Sequence, residues 1–196
     1  MEKIPLFPLG VVLFPEGRIP LQIFEPRYLD LVKRCLREDS GFGVVLIREG
    51  RDTVWPGAAA MPKLAPLGTL ARIVDWDALP NGRLGITVEG QRKFRLLSTE
   101  QQDDFLVWGE VEWLPDDTPV PLPVQADELV SLLQRLMAHP AIARLRMRNA
   151  VSDAGVLGNL LAQCLPIAEQ QKFALLAESD PVHRLDRLVG VLDQYQ

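Results

Sequence analysis

Apolar and polar positions along this chain follow two rhythms, and the change between them falls near residue 115. Before it, the apolar runs are short, rich in Val, Ile and Phe, and interrupted every few residues by Pro or Gly. That is the pattern of strands joined by tight corners. After it, apolar residues recur at i, i+3, i+4 and i+7, the spacing that lines one face of a helix.

The runs Ile4 to Pro8 and Val11 to Pro15 open the chain. Proline has no N–H to give a ladder, which predicts strand ends or edge strands rather than a central strand. Ile19 to Phe24 is a further short strand. Tyr28, Leu31, Val32, Cys35 and Leu36 then take helical spacing, with Pro26 in the first turn, where its missing donor is not needed. A helix over about 26–38 is the expectation. Phe42 to Ile47 reads as a buried strand. Residues 49–67 carry three prolines, two glycines and little periodicity, which predicts a long loop of the functional or mobile kind. A strand is predicted from Gly68 to Leu79. Asn81-Gly82 then predicts a hairpin turn, because both residues accept positive φ. Leu84, Ile86 and Val88 alternate on the return strand, and Gly90 marks a bulge or tight bend. Phe94, Leu96 and the run Phe105 to Leu114 complete an all-β region, suited to a small barrel.

Pro115, Pro119, Pro121 and Pro123 fall within nine residues, a stiff linker with polyproline character. Beyond it lie four apolar stripes: Leu129 to Met137, Val156 to Cys164, Phe173 to Ala177 and Val182 to Leu192. Short breaks between them predict antiparallel neighbours in a bundle. The fold class expected is therefore α+β, with a β-barrel carrying one packed helix over residues 1–117 and an α-helical bundle over 118–196.

Composition narrows the function. The chain has 196 residues, 47% of them hydrophobic, and a net charge of −5. No apolar run approaches the roughly 20 residues that span a bilayer. The proline-broken N-terminus is a poor signal peptide, so the reading is cytoplasmic. Neither half of the chain is basic, so the charge footprint that phosphate backbones select is missing. The two cysteines, Cys35 and Cys164, sit among leucines in helical stripes and read as small buried hydrophobes.

Several pieces, in order, carry a resemblance. They are Pro5-Leu6-Phe7-Pro8-Leu9-Gly10, Phe14-Pro15, Ile23-Phe24-Glu25-Pro26-Arg27-Tyr28, Phe42-Gly43-Val44, Gly68-Thr69-Leu70-Ala71, Gly82-Arg83, Gly90 and Phe94. Leu165-Pro166, Gln171-Lys172, Leu175-Leu176, Asp180-Pro181 and Arg184-Leu185 extend it to the helical end. With these the chain resembles the N-terminal substrate-binding domain of the Lon ATP-dependent protease, a relative of the Lon-like domain of cereblon. Ile23 to Tyr28 is the most specific stretch, and residues 51–64 match nothing in the family. The resemblance implies a PUA-like barrel joined to helices. It also implies a non-catalytic module that recognises unfolded or partly unfolded polypeptides, with a separate protease or chaperone as a further partner. No G-x-x-x-x-G-K-[ST] run is present to cradle ATP phosphates. No protease domain follows within the 196 residues, so a stand-alone domain is the expectation, with no cofactor. PUA-like folds include RNA binders, which makes RNA binding the alternative.

Candidate chemistry beyond the resemblance is thin. Glu25 and Arg27 flank the helix start, where an acid favours the positive helix end and a local pair forms readily. Cys35, His139, Cys164 and His183 lack the close spacing of zinc ligands, so no metal is expected. Cysteines buried in helix stripes are poor nucleophiles. Arg92, Lys93 and Arg95, and Arg144, Arg146 and Arg148, form two basic clusters that read as solvated faces in an acidic chain. Trp55 and Met61 lie in the predicted loop. They are the candidate partner-binding residues, because indole and thioether groups are enriched at protein contacts, unless they fold back as a plug.

Overall fold

The strand rhythm of the first 113 residues becomes six strands in a computed structural model that describes residues 1–51, 61–124, 126–148 and 150–193. They are β1 Glu2–Leu9, β2 Arg18–Ile23, β3 Phe42–Glu49, β4 Lys63–Ala78, β5 Leu84–Gln101 and β6 Val107–Trp113, with helix α1 Pro26–Glu38 between β2 and β3. The sheet order is β2-β5-β4-β3-β1-β6, and β6 also pairs with β5. Five strands therefore close on themselves as a barrel. The 18-residue β5 serves two partners: Leu84–Glu89 pairs with β2, and Phe94–Gln101 with β6. Five helices follow: α2 Asp127–Ala138, α3 Pro140–Ala143, α4 Ala154–Cys164, α5 Glu169–Ala177 and α6 Pro181–Asp193. The fold class is α+β, a curled sheet plus helices.

Two strand-level expectations change. β1 lies inside the sheet despite Pro5 and Pro8, because it changes partner half way. Glu2–Pro5 pairs with β6, and Leu6–Leu9 pairs with β3. Each proline thus meets a ladder on one side only. The second proline run forms no strand. Val12, Leu13 and Phe14 are all buried, and their backbone is served by side chains. The Val12 N–H donates to Glu169 Oε2 at 2.7 Å and the Phe14 N–H to Gln163 Oε1 at 2.9 Å. On the other side the Thr69 hydroxyl donates to the Leu13 carbonyl at 2.7 Å. Buried backbone groups need such partners, so this strap is held between sheet and helices. The predicted loop is also shorter than expected, because β3 runs to Glu49 and β4 begins at Lys63.

Inside the barrel the Phe94 ring lies against bare backbone. A Cβ placed on Gly43 or Gly68 would come within 2.7 or 2.6 Å of Phe94 Cζ, and at Gly68 also within 2.6 Å of the Val44 carbonyl. Between the pairs Thr69↔Lys93 and Ala71↔Gly90, β5 carries one extra residue. A one-residue bulge moves the following side chains to the other face. Ile86 and Val88 accordingly join the cluster under α1, while Phe94 joins the other. Gly90 is needed for close approach: a Cβ there would sit 2.1 Å from the Phe14 carbonyl oxygen.

Two apolar clusters result. The smaller packs Tyr28, Leu31, Val32 and Cys35 of α1 on Phe7, Phe42, Ile86 and Val88, with the Phe7 and Tyr28 rings stacked at 3.8 Å. The larger joins Leu6, Val45, Phe94 and Val111 of the barrel to Leu133, Leu157, Leu160 and Leu188 of the helices. The proline linker is tied down between them. Its Asp117 accepts from Lys93 Nζ of β5 at 2.9 Å and from Arg184 Nη1 of α6 at 2.6 Å. The wholly buried Arg184 also donates to the carbonyls of Leu175 at 3.2 Å and Glu178 at 2.6 Å. These close off the C-terminal end of α5.

Past Ala71, β3 no longer pairs with β4, and the strand runs on to Ala78 with β5 on one side. There the Asp75 and Asp77 carboxylates accept the N–H groups of Trp76 and Ala78, at 2.9 and 2.7 Å.

We propose that 1–117 and 118–196 are two parts of one cooperative unit, since the larger cluster draws on both. One thermal transition is expected, by calorimetry and by tryptophan fluorescence alike. Burial alone would raise the Asp117 carboxyl, but the hydrogen bonds and charges of Arg184 and Lys93 reverse this and hold it below its ordinary 3.8. A depressed carboxylate stabilises the fold above its unfolded value and loses that contribution as pH falls through the folded one. The transition temperature should therefore drop as pH is lowered below 3.8. Asp117→Asn should flatten that part of the profile and cost about 3 kcal/mol or more near neutrality, because two buried cations lose their partner.

Gly68→Ala tests the barrel interior. Overpacking against backbone and a wedged ring is expected to cost about 1–3 kcal/mol by urea titration.

Candidate functional site

Gly10 just ahead of the strap, the end of β3, the start of β4 and helix α5 leave a groove where barrel and helices meet. Its volume is about 610 Å³, with Leu46, Leu64 and Phe173 among its apolar walls and Arg48, Glu49 and Lys63 at its charged margin. Sequence places these residues far apart. Strand pleating puts Leu46 and Leu64 beside the larger cluster, and the stripe of α5 brings Phe173 to the same cluster. Lys63 and Glu49 bridge the two strands at 2.7 Å, both largely exposed. Glu169, on the groove side of α5, spends one oxygen on the strap at Val12 and approaches Lys172 at 3.8 Å with the other. A cleft with apolar walls and a few charges at its margin suits binding of side chains and backbone rather than bond-breaking chemistry.

Of the predicted partner-binding pair, Trp55 lies outside the described residues. Met61 is half-buried against the larger cluster, two residues before β4. It stands at the foot of the strand that supplies Lys63 and Leu64 to the groove. No sequence signal singled out the groove itself, because its walls come from four separate segments.

The other candidates take structural roles. Glu25 makes no capping bond to the α1 backbone. Its carboxylate instead accepts from Arg27 Nε at 3.0 Å, and the buried Arg27 donates onward to the Phe105 carbonyl at 2.9 Å. Arg92 lies over the Trp113 ring and faces Asp116 at 3.6 Å, and Arg95 meets Glu112 at 2.6 Å. Lys93, expected on a solvated face, is buried on Asp117. Each cation of that cluster therefore faces a carboxylate, which disfavours the RNA reading. Arg146 takes a left-handed turn at φ 50°, and its carbonyl accepts from Arg18 at 2.8 Å.

Among the described residues no group of His, Cys, Asp or Glu is placed to hold a metal ion, and no helix is long and apolar enough to cross a membrane. Both cysteines are free thiols; Cys35 is buried, whereas Cys164 is only partly covered. Burial raises the Cys35 thiol, against the smaller effect of a hydrogen bond from Ser40. It pushes Cys164 up to about 11 despite the Lys172 charge. Neither is an activated nucleophile.

Comparison with known proteins adds one family match, two solved structures and two curated relatives. The family model described as the ATP-dependent protease La (LON) substrate-binding domain matches residues 3–194. A solved Lon N-terminal domain protein from Xanthomonas campestris superposes with a TM-score of 0.74 and 37% identity, covering 97% of this chain and 98% of that one. The N-terminal domain of a Mycobacterium avium complex Lon protease shares the fold, with a TM-score of 0.61 at 15% identity over 96% and 97% of the two chains. Among curated relatives, Lon protease 2 of Myxococcus xanthus is 27% identical over 204 residues, which is 98% of this chain and 24% of the relative. The Lon protease of Anaeromyxobacter dehalogenans is 24% identical over 97% of this chain and 23% of its own length. The chain thus spans about a quarter of the curated relatives it matches.

A thiol held near 11 stays protonated at pH 8. Cys164 should therefore react with iodoacetamide far more slowly than a free cysteine peptide at that pH, and the rate should climb as pH approaches 11, read by mass spectrometry of the digested protein.

Proposed function

The chain belongs to the Lon substrate-binding domain family, and on that footing we propose that it recognises segments of unfolded or partly unfolded polypeptide without acting on them chemically. The family match supports a substrate-binding module and not the protease part of Lon. The observation that carries the finer reading is the groove at the junction of barrel and helices, with its apolar walls and charged margin. An extended chain offers side chains and backbone groups in no fixed shape, and a cleft of this composition accepts several such segments. Met61 stands two residues before Lys63 of the groove margin, and it is proposed to contribute to the same binding, together with Trp55 as the other candidate from the sequence. A protease or chaperone acting on captured chains is the further partner this reading calls for, and the cytoplasm is the compartment.

The test uses a permanently unfolded, reduced and alkylated polypeptide with a fluorescent label. Loss of one good apolar anchor costs on the order of 1–2 kcal/mol in such contacts. Leu64→Ala with Phe173→Ala should therefore weaken capture about tenfold or more by fluorescence anisotropy. Trp55→Ala with Met61→Ala should weaken it to a similar degree. Melting temperature is read beside each variant, because Met61 and Phe173 are half-buried and a loss of fold would also lose binding. Undiminished capture by a stably folded Leu64→Ala, Phe173→Ala variant would remove the groove from the reading.

A further inference from the structure

At the surface of the helical layer, α2 and α6 flank a second groove that the reading above does not use. Both helices lay their buried leucines, Leu133 of α2 and Leu185 and Leu188 of α6, into the larger cluster with α4. Between them a cleft of about 740 Å³ stays open. Leu129 and Leu132 form one wall, Val182, Val189 and Leu192 the other, with Leu185 beneath. Val182 and Val189 stand 37% and 40% exposed, high for β-branched side chains on a helix that already has a buried face.

The charges around this cleft are one-sided. Glu128, Asp186 and Asp193 line it, against Arg135 alone. Glu128 lies in the first turn of α2 and Arg135 in its last. Among the described residues none of the three carboxylates has an ion-pair partner, whereas Asp117 of the linker and Glu178 after α5 both do. Two copies of this face would bring acid against acid, and like charges brought together oppose such a pairing. A partner with an apolar stripe and cationic flanks would meet both features at once.

We propose that the α2–α6 cleft docks an amphipathic helix of a partner protein, one with leucine-type residues at helical spacing and Lys or Arg on either side of the stripe. The 12 residues of α2 and 13 of α6 give the cleft a length of about 18–20 Å, or some three turns. Helix-in-groove recognition uses three or four anchors at i, i+3, i+4 and i+7, and the walls offer contacts for that number. Cationic flanks would neutralise Glu128, Asp186 and Asp193, and one acidic residue toward one end would meet Arg135. This docking is independent of the junction groove, so the two readings fail separately.

The experiment uses the full chain and a synthetic peptide of about 18 residues, long enough to hold a helix. The peptide carries Leu at i, i+3, i+4 and i+7 with Lys flanks. A scrambled peptide of the same composition and a version with Glu flanks are the controls. Fluorescence anisotropy should show the Lys-flanked helix binding at least tenfold tighter than either control. Glu128→Lys with Asp186→Lys, both exposed, should lower the melting temperature by no more than a few degrees, the share owed to an acid lost from the first turn of α2, and reverse the preference toward the Glu-flanked helix. Val189→Glu should abolish binding of the Lys-flanked peptide. Equal binding of the scrambled and amphipathic peptides would reduce the effect to charge and overturn the proposal. So would sedimentation showing a dimer that Val189→Glu dissolves, because the occupant would then be a second copy of this chain.

Discussion

One carboxylate sits where three parts of the chain must agree. Asp117 lies in the proline linker, but its two oxygens are claimed by a lysine of the long barrel strand and an arginine of the last helix. Both cations are almost wholly buried, so neither can be left without an anion. A buried ion pair adds little net stability over an apolar replacement, since desolvation offsets attraction. What it contributes here is geometry. The guanidinium can satisfy Asp117 and the carbonyls of Leu175 and Glu178 together only with α5, α6 and the barrel in one arrangement, and α5 is the helix that walls the junction groove.

The strap of residues 12–14 answers the same need from the other side. It carries apolar side chains into both clusters, with Val12 and Phe14 in the larger and Leu13 in the smaller. Its backbone is satisfied by Thr69 on one side and by Gln163 and Glu169 on the other. A strand in that place would need a ladder partner. The strap needs only three side chains, two of which, Gln163 and Glu169, come from helices α4 and α5.

Much of the fold could be read from residue order, and the misreadings share a cause. The period-3.6 stripes after the linker correspond to α2, α4, α5 and α6, because an amphipathic helix records its packing face locally. The hairpin near Asn81-Gly82 and the bend near Gly90 were likewise local signals, but the turn differs from the one expected: only Gly82 takes positive φ, and the Leu79 N–H donates to the Arg83 carbonyl around a three-residue loop rather than a two-residue turn with both residues at positive φ. β1 was misjudged because a proline rule applies to a strand with one partner along its length, and this one exchanges β6 for β3 between Pro5 and Leu6. The loop after β3 was drawn too long because Lys63, Ala65 and Pro66 do not look like strand residues; cross-strand pairing with β3 decides their state. The candidate site was the least legible part. Leu46, Leu64 and Phe173 look like ordinary core positions in their own segments, and nothing local records that they face a common opening. Lys93 shows the same limit: its cluster reads as a solvated face from charge alone, and only the tertiary arrangement puts Asp117 opposite and buries it.

The bare edge of β4 beyond Ala71 has a bearing on any role in meeting unfolded chains. An open strand edge recruits peptide through main-chain groups alone, and so accepts nearly any sequence and seeds aggregation. Here Asp75 and Asp77 fold back on the donors of Trp76 and Ala78. With those donors occupied, an incoming strand finds two carboxylates in place of a ladder. On the proposed reading, a client chain meeting this edge would be chosen by side chains rather than annexed into the sheet. Those two aspartates thus favour discrimination and release over permanence.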